Sequence, residues 1–353
     1  MKKIFIAVLA VAAMASCATD EIVNAPKGAA IGFDETFVDN AVRANDITSA
    51  NISNFSVYGS VVKGGQQGLI FNNQLVEKDG TAYTYSPKQY WIAAANYYFV
   101  AIAPYSEVWA YAPADNLAQN GTITFNNGAN EVDGIEGANA NVDLLYAYQA
   151  PDTTPEKITS QPDAVAFTFK HLLSRVKFTF INKFNAGSNI ELVVSGVKVN
   201  NVHQSGTLNV TSGTVGTWNV TGVATAPFVF GNVNATASQA ADATKIADNN
   251  GSASTEYFYF IPAKATYEVE FDVNLWQAGV SVDTYHHTVN VPADLAMGHS
   301  YNIVAELTPG NVLDDPNNAV YPIEFTVTEV EEWVTTQNPE TNVPTPGYPA
   351  QGN

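Results

Sequence analysis

Apolar residues in this chain recur at every second position, over and over, with turn-forming clusters between the runs. Phe55, Val57, Gly59 and Val61 alternate within 54–62. The same period appears across 190–202, 257–261, 267–275, 284–291 and 301–307. A period of two places successive side chains on opposite faces of a strand. Gly, Asn, Asp and Pro clusters between the runs punctuate them as turns. Good helix signals are scarce. Residues 235–247 have helix-forming composition without an apolar stripe and are expected to be a loop or a short surface helix. The expected class is all-β, built of antiparallel sandwiches.

One run is longer than the rest. Across 165–181, Val165, Phe167 and Phe169 share one parity, and Val176, Phe178 and Phe180 share the other. The change falls at His171-Leu172-Leu173-Ser174, which predicts a bulge or a bend. Just before this run, Pro151, Pro155 and Pro162 lie in a polar stretch, 149–164, the best domain boundary in the chain. Residues 44–164 would form one sandwich and 165–333 a second. Residues 334–353 carry Pro339, Pro344, Pro346 and Pro349 and almost nothing apolar, the pattern of a disordered or extended tail.

Charge and cysteine usage narrow the function. There are 15 Lys+Arg against 34 Asp+Glu, a formal net charge of -19, so nothing could neutralise a phosphate backbone and a nucleic-acid partner is excluded. The sole cysteine, Cys17, follows Lys2, Lys3, an apolar run over 4–13 and the small residues Ala15 and Ser16. That is a signal peptide, 1–17, ending in a lipidation cysteine. An exported chain with one cysteine has no internal disulfide and depends on hydrophobic burial. The lipid would anchor it to a membrane.

Enzymatic chemistry finds no foothold. The five histidines are His171, His203, His286, His287 and His299, and no metal-ligand, nucleophile-elbow or phosphate-loop motif joins them. His286 and His287 are neighbours on an expected strand and point to opposite faces. Asp143, ahead of an apolar run, reads as a turn or strand-entry residue. The aromatics of the first half, among them Tyr83, Tyr85, Tyr90, Trp91, Tyr97, Trp109 and Tyr111, fit packing better than a glycan-stacking surface. No cofactor is expected.

The two ends carry the clearest signal. Ile31, Phe33 and Phe37 lie in a short alternating strand, followed by Arg43, one of only two arginines. The other, Arg175, lies in an expected core strand, so an Arg-specific protease would find Arg43 accessible. At the far end Ile323, Phe325 and Val327 share a face, and the parity then shifts to Val330 and Trp333, suggesting a bend and a second short strand. Both ends read Ile-x-Phe. Cleavage after Arg43 would open a groove that a like-patterned strand from another copy could fill. The alternative is that both segments are ordinary edge strands and Arg43 is a surface residue.

Several blocks, in order, resemble the fimbrillin-like (Mfa-like) lipoproteins of Bacteroidetes: Cys17, Ile31-Gly32-Phe33, Val42-Arg43-Ala44, Tyr90-Trp91, Tyr98-Phe99-Val100-Ala101-Ile102-Ala103-Pro104, Asp143-Leu144-Leu145-Tyr146-Ala147, the run from Val165 to Val176, and Met297-Gly298-His299-Ser300-Tyr301. The resemblance implies two tandem transthyretin-like β-sandwich domains and a pilus subunit precursor exported as a lipoprotein. It also implies a propeptide strand, 18–43, removed between Arg43 and Ala44 by an Arg-specific protease, and polymerisation with other fimbrial subunits by donor-strand exchange. By position the displaced strand holds Ile31, Phe33 and Phe37, and the donor holds Ile323, Phe325, Val327, Val330 and Trp333. Two departures stand out. Val42 replaces the family's frequent Thr before the scissile arginine, and a polar tail follows the donor, which leaves a tip or accessory role open beside a stalk role. A monomeric surface lipoprotein acting as an adhesin or glycan-binding module is the alternative.

Overall fold

The computed structural model describes residues 29–34, 37–38, 47, 51–126, 141–222, 227–233, 244–313 and 323–332. Among them the protein is all-β apart from one helical turn, Pro309–Val312, and its strands form four sheets.

The first sheet has seven strands in the order Phe37–Val38, Thr168–His171, Leu145–Gln149, Asn96–Ala103, Asn54–Lys63, Gln66–Asp79 and Ala82–Thr84. A second sheet runs Thr214–Val215, Ser205–Thr211, Leu117–Asn126 and Trp109–Ala114, with Asn219–Thr221 also paired to Ser205–Thr211. The two share a core in which Tyr58, Val100 and Ile102 of the first meet Ile123, Phe125 and Leu208 of the second. Because side chains alternate, the first sheet has a second apolar face, made of Phe55, Val57, Phe99, Phe167 and Phe169. Among the described residues, Ala29, Ile31, Phe33, Trp91 and Ile158 pack on that face, and none of them lies in a strand of the four sheets.

The third sheet runs Ser252–Ser254, Ser174–Asn182, His299–Leu307 and Phe325–Glu332. The fourth runs Phe228–Gly231, Ile190–Asn200, Lys264–Gln277 and Val280–Asp294. They enclose one core, where Val176, Phe178 and Phe180 pack with Leu192, Val194, Phe271 and Val273.

The parity change at 171–174 marks a crossing between sheets. Thr168–His171 completes the first sheet, Ser174–Asn182 begins in the third, and Leu172 and Leu173, both fully buried, bridge the step. The expected division between 164 and 165 therefore does not fall between sheets. Beyond it, Thr168–His171 pairs with Leu145–Gln149, and Ser205–Thr211 pairs with Leu117–Asn126 in register Ser205↔Asn126 to Thr211↔Asn120. Long-range ladders of this kind leave no local trace in a sequence. Within 235–247, expected as loop or helix, the described residues include a short strand, Lys245–Ile246, paired with Ile190–Asn200.

Candidate assembly interface

The N-terminal segment lies on the second face of the first sheet. Its apolar residues at spacing two all point into the core: Ala29, Ile31 and Phe33 are 3%, 1% and 5% exposed. Its backbone is held on both flanks. On one side the Ile31 N–H donates to the Gln89 carbonyl (2.8 Å) and the Trp91 N–H donates to the Ala29 carbonyl (3.0 Å). On the other the Val165 N–H donates to the Gly32 carbonyl (2.8 Å) and the Asp34 N–H to the Val165 carbonyl (3.1 Å). The chain continues as Phe37–Val38, parallel to Thr168–His171, with Phe37 opposite Thr168.

Phe33 fills the centre of this seat. Its ring lies 5.4 Å from Tyr85, 5.6 Å from Phe71, 5.8 Å from Phe167 and 6.3 Å from both Phe55 and Phe99. These are the offset and edge-on geometries that aromatic quadrupoles favour. The Tyr85 hydroxyl donates to the Ile31 carbonyl at 2.7 Å, and burial pushes that hydroxyl above its usual range. The Gln161 side-chain amide donates to the Ala30 carbonyl, also at 2.7 Å.

The C-terminal segment occupies a different kind of seat. Phe325–Glu332 is the last strand of the third sheet, antiparallel to His299–Leu307 and, among the described residues, paired on that side alone. Ile323 is buried, while Phe325 and Val327 are half-buried against the core. The Phe325 ring lies 5.9 Å from Phe178 and Phe271 and 6.0 Å from Phe180. Beside it opens a groove of about 650 Å³ lined by Val289, Pro292, Ile323 and Phe325, between this strand and Val280–Asp294, the edge of the fourth sheet.

The expected bend after Val327 is a bulge within one strand. Tyr301 faces Glu329 and Ser300 faces Glu331, which leaves Val330 as the extra residue. The ladder continues to Glu332, so no second strand begins at Val330. Trp333, Cys17, Arg43 and Ala44 lie outside the described residues.

The remaining sequence features resolve into packing. Tyr83, Tyr85, Trp91, Tyr97, Trp109 and Tyr111 are buried, and among the described aromatics of the first half only Tyr90 and Tyr105 are exposed. Arg175 is buried beside Ser300 and over the Tyr257 ring. His286 is exposed at 2.8 Å from Asp272, whereas His287 stacks on Phe271, so the two do face opposite ways. Among the described residues no group of three His, Cys, Asp or Glu side chains could hold a metal ion.

Sequence reasoning missed one pair. Asp143 and His171, read singly as strand-entry and structural or surface residues, meet at 2.8 Å with side chains almost wholly buried. Asp143 also accepts the Ile47 N–H through Oδ2 at 3.1 Å. A separation of 28 residues hides such a pair until the strands are aligned.

The family model described as fimbrillin-like matches residues 42–333. Among solved structures, a candidate cell adhesion protein from Bacteroides ovatus ATCC 8483 is similar over 87% of this chain and 97% of its own, at 15% identity and a TM-score of 0.47. A candidate cell adhesion protein from Bacteroides uniformis ATCC 8492 is similar over 86% and 97%, at 17% identity and a TM-score of 0.44. The fimbrial anchor protein Mfa2 from Porphyromonas gingivalis is similar over 86% and 98%, at 11% identity and a TM-score of 0.36. No curated relative matches the sequence.

Proposed function

The chain belongs to the fimbrillin-like family, and from that premise we propose that it is a fimbrial subunit precursor. It is exported as a lipoprotein on Cys17, held at the outer membrane, and cut between Arg43 and Ala44 by an Arg-specific protease. It then joins other fimbrial subunits by strand exchange and supports adhesion from the cell surface. In this reading its body is two transthyretin-like sandwiches, the first of which also takes Thr168–His171 and Ser205–Thr211 from beyond residue 164. The strand carrying Ile31, Phe33 and Phe37 leaves, and a donor carrying Ile323, Phe325, Val327, Val330 and Trp333 fills the place of the same strand in a neighbour.

The observation that carries this reading is the two-sided seat of the N-terminal segment. Residues 29–34 are bonded to Gln89–Trp91 on one flank and to Val165 on the other, yet they precede the rest of the fold in sequence. Their loss would leave two facing rows of unpaired backbone groups and an aromatic pocket, which is the template for strand addition. Joints of this kind run head to tail and do not close, so they propagate into filaments.

Limited digestion of the full chain with an Arg-specific protease tests it. Cleavage at Arg43, with Arg175 buried in its strand, should yield heat-stable oligomer ladders, and deletion of 323–353 should abolish them. The seating of Phe325–Glu332 in its own sheet favours a second reading, a monomeric lipoprotein adhesin. A cut chain that stays a monodisperse monomer establishes that one and removes the first.

A further inference from the structure

The buried pair of Asp143 and His171 calls for a role. Their side chains are 2% and 1% exposed. A carboxylate out of water is costly unless every oxygen finds a partner. Both oxygens do: Oδ1 lies 2.8 Å from His171 Nδ1, and Oδ2 accepts the Ile47 N–H at 3.1 Å. The Leu172 N–H donates to the Leu144 carbonyl at 2.9 Å, which ties together the residues just beyond each member of the pair.

Ile47 is what makes the arrangement informative. It lies in no strand, so no ladder neighbour takes its N–H. Its side chain packs against the same apolar cluster that Ile31 and Phe33 fill. It also sits three residues beyond Ala44, on the far side of the bond assigned above to the protease. A fresh chain end frays over its first few residues unless something ties it down. A hydrogen bond to a buried carboxylate is among the stronger ties a backbone amide can make.

We infer that Asp143, oriented by His171, is a positioning residue that sets where the removable segment ends. It holds the Ile47 amide, so the chain from residue 47 onward stays seated when the residues up to Arg43 depart. Fraying stops short of the Ile47 side chain, and the wall beside the vacated Phe33 pocket keeps its shape for the incoming strand. The inference rests on the cut after Arg43 proposed above.

Hydrogen exchange on the full chain, before and after cleavage by an Arg-specific protease, tests it with two variants. Asp143→Asn keeps the shape but removes the charge, and Ile47→Pro removes the donor while leaving the buried pair intact. In the unaltered chain, residues 51–55, which lead into strand Asn54–Lys63, should keep their protection after the cut. In both variants exchange there should rise about tenfold or more after the cut and much less before it. Strand Leu145–Gln149, which does not pair with the departing segment, should stay unchanged. Equal acceleration in cut and uncut forms would make the pair merely structural and overturn the inference, as would loss of protection in the unaltered cut chain. A cut chain that never releases its leader, followed by mass spectrometry, defeats the exchange reading itself and the positioning role with it. A chain that releases the leader and loses protection across 51–55 defeats the positioning role alone.

Discussion

The two ends of this chain share an Ile-x-Phe pattern and occupy seats of opposite kinds. Phe33 sits in the interior of an apolar face, ringed by five aromatic side chains, on a segment bonded along both flanks. Phe325 sits on an edge strand bonded along one flank, with three aromatic neighbours and an open groove beside it. An interior seat is costly to empty and, once emptied, strongly favours being refilled. An edge seat gives up one ladder when its strand leaves, and the sheet behind it stays intact. The asymmetry suits a chain in which proteolysis must remove the first segment while the last can be released without a cut.

That contrast predicts unequal costs. Phe33→Ala should destabilise the uncut chain by about 3–5 kcal/mol, the cost of emptying a fully packed aromatic site. Urea unfolding measures it, and the loss should vanish in the cut chain, where the segment is gone. An equal loss in the cut form would mean that Phe33 does not leave. Phe325→Ala should cost less, about 2 kcal/mol, because the side chain is half-buried and the groove already exposes part of it to water. Should the two substitutions cost the same, the distinction between interior and edge seats carries no energetic weight.

Much of this was legible beforehand, and the failures have physical causes. Period-two alternation placed Asn54–Lys63, Ile190–Asn200 and His299–Leu307 within a residue or two, because a strand with one buried face must alternate. The Ile-x-Phe pattern at each end located both segments for the same reason. Alternation says which side of a strand is apolar but not which sheet receives it. Thr168–His171 and Ser174–Asn182 therefore looked like one bent strand, although two buried leucines carry the chain between sheets. The bulge at Val330 looked like a strand end because an extra residue reverses the parity just as a turn does. Asp143 and His171 were invisible as a pair because their meeting depends on the ladder that aligns Leu145 with His171.

The finest test of the comparison is a single hydroxyl. Tyr85 donates to the Ile31 carbonyl, a bond that exists only while the N-terminal segment is seated. The hydroxyl also accepts the Gln89 N–H at 3.2 Å, so Tyr85→Phe should cost the uncut chain about 1 kcal/mol more than the cut chain. The hydroxyl also gives a pH signature. Burial raises its pKa above the ordinary tyrosine value of ~10. A group whose pKa is higher in the folded state contributes its full stabilisation below the unfolded value and loses it as pH climbs through the folded one. Unfolding midpoints of the uncut chain should therefore fall above pH ~10 and fall less steeply in Tyr85→Phe. Other buried tyrosines, Tyr58 and Tyr97 among them, titrate in the same direction, so the informative quantity is the difference between the two proteins. If that difference persists after cleavage, Tyr85 senses the aromatic core alone, and its bond to Ile31 does not help hold the leader.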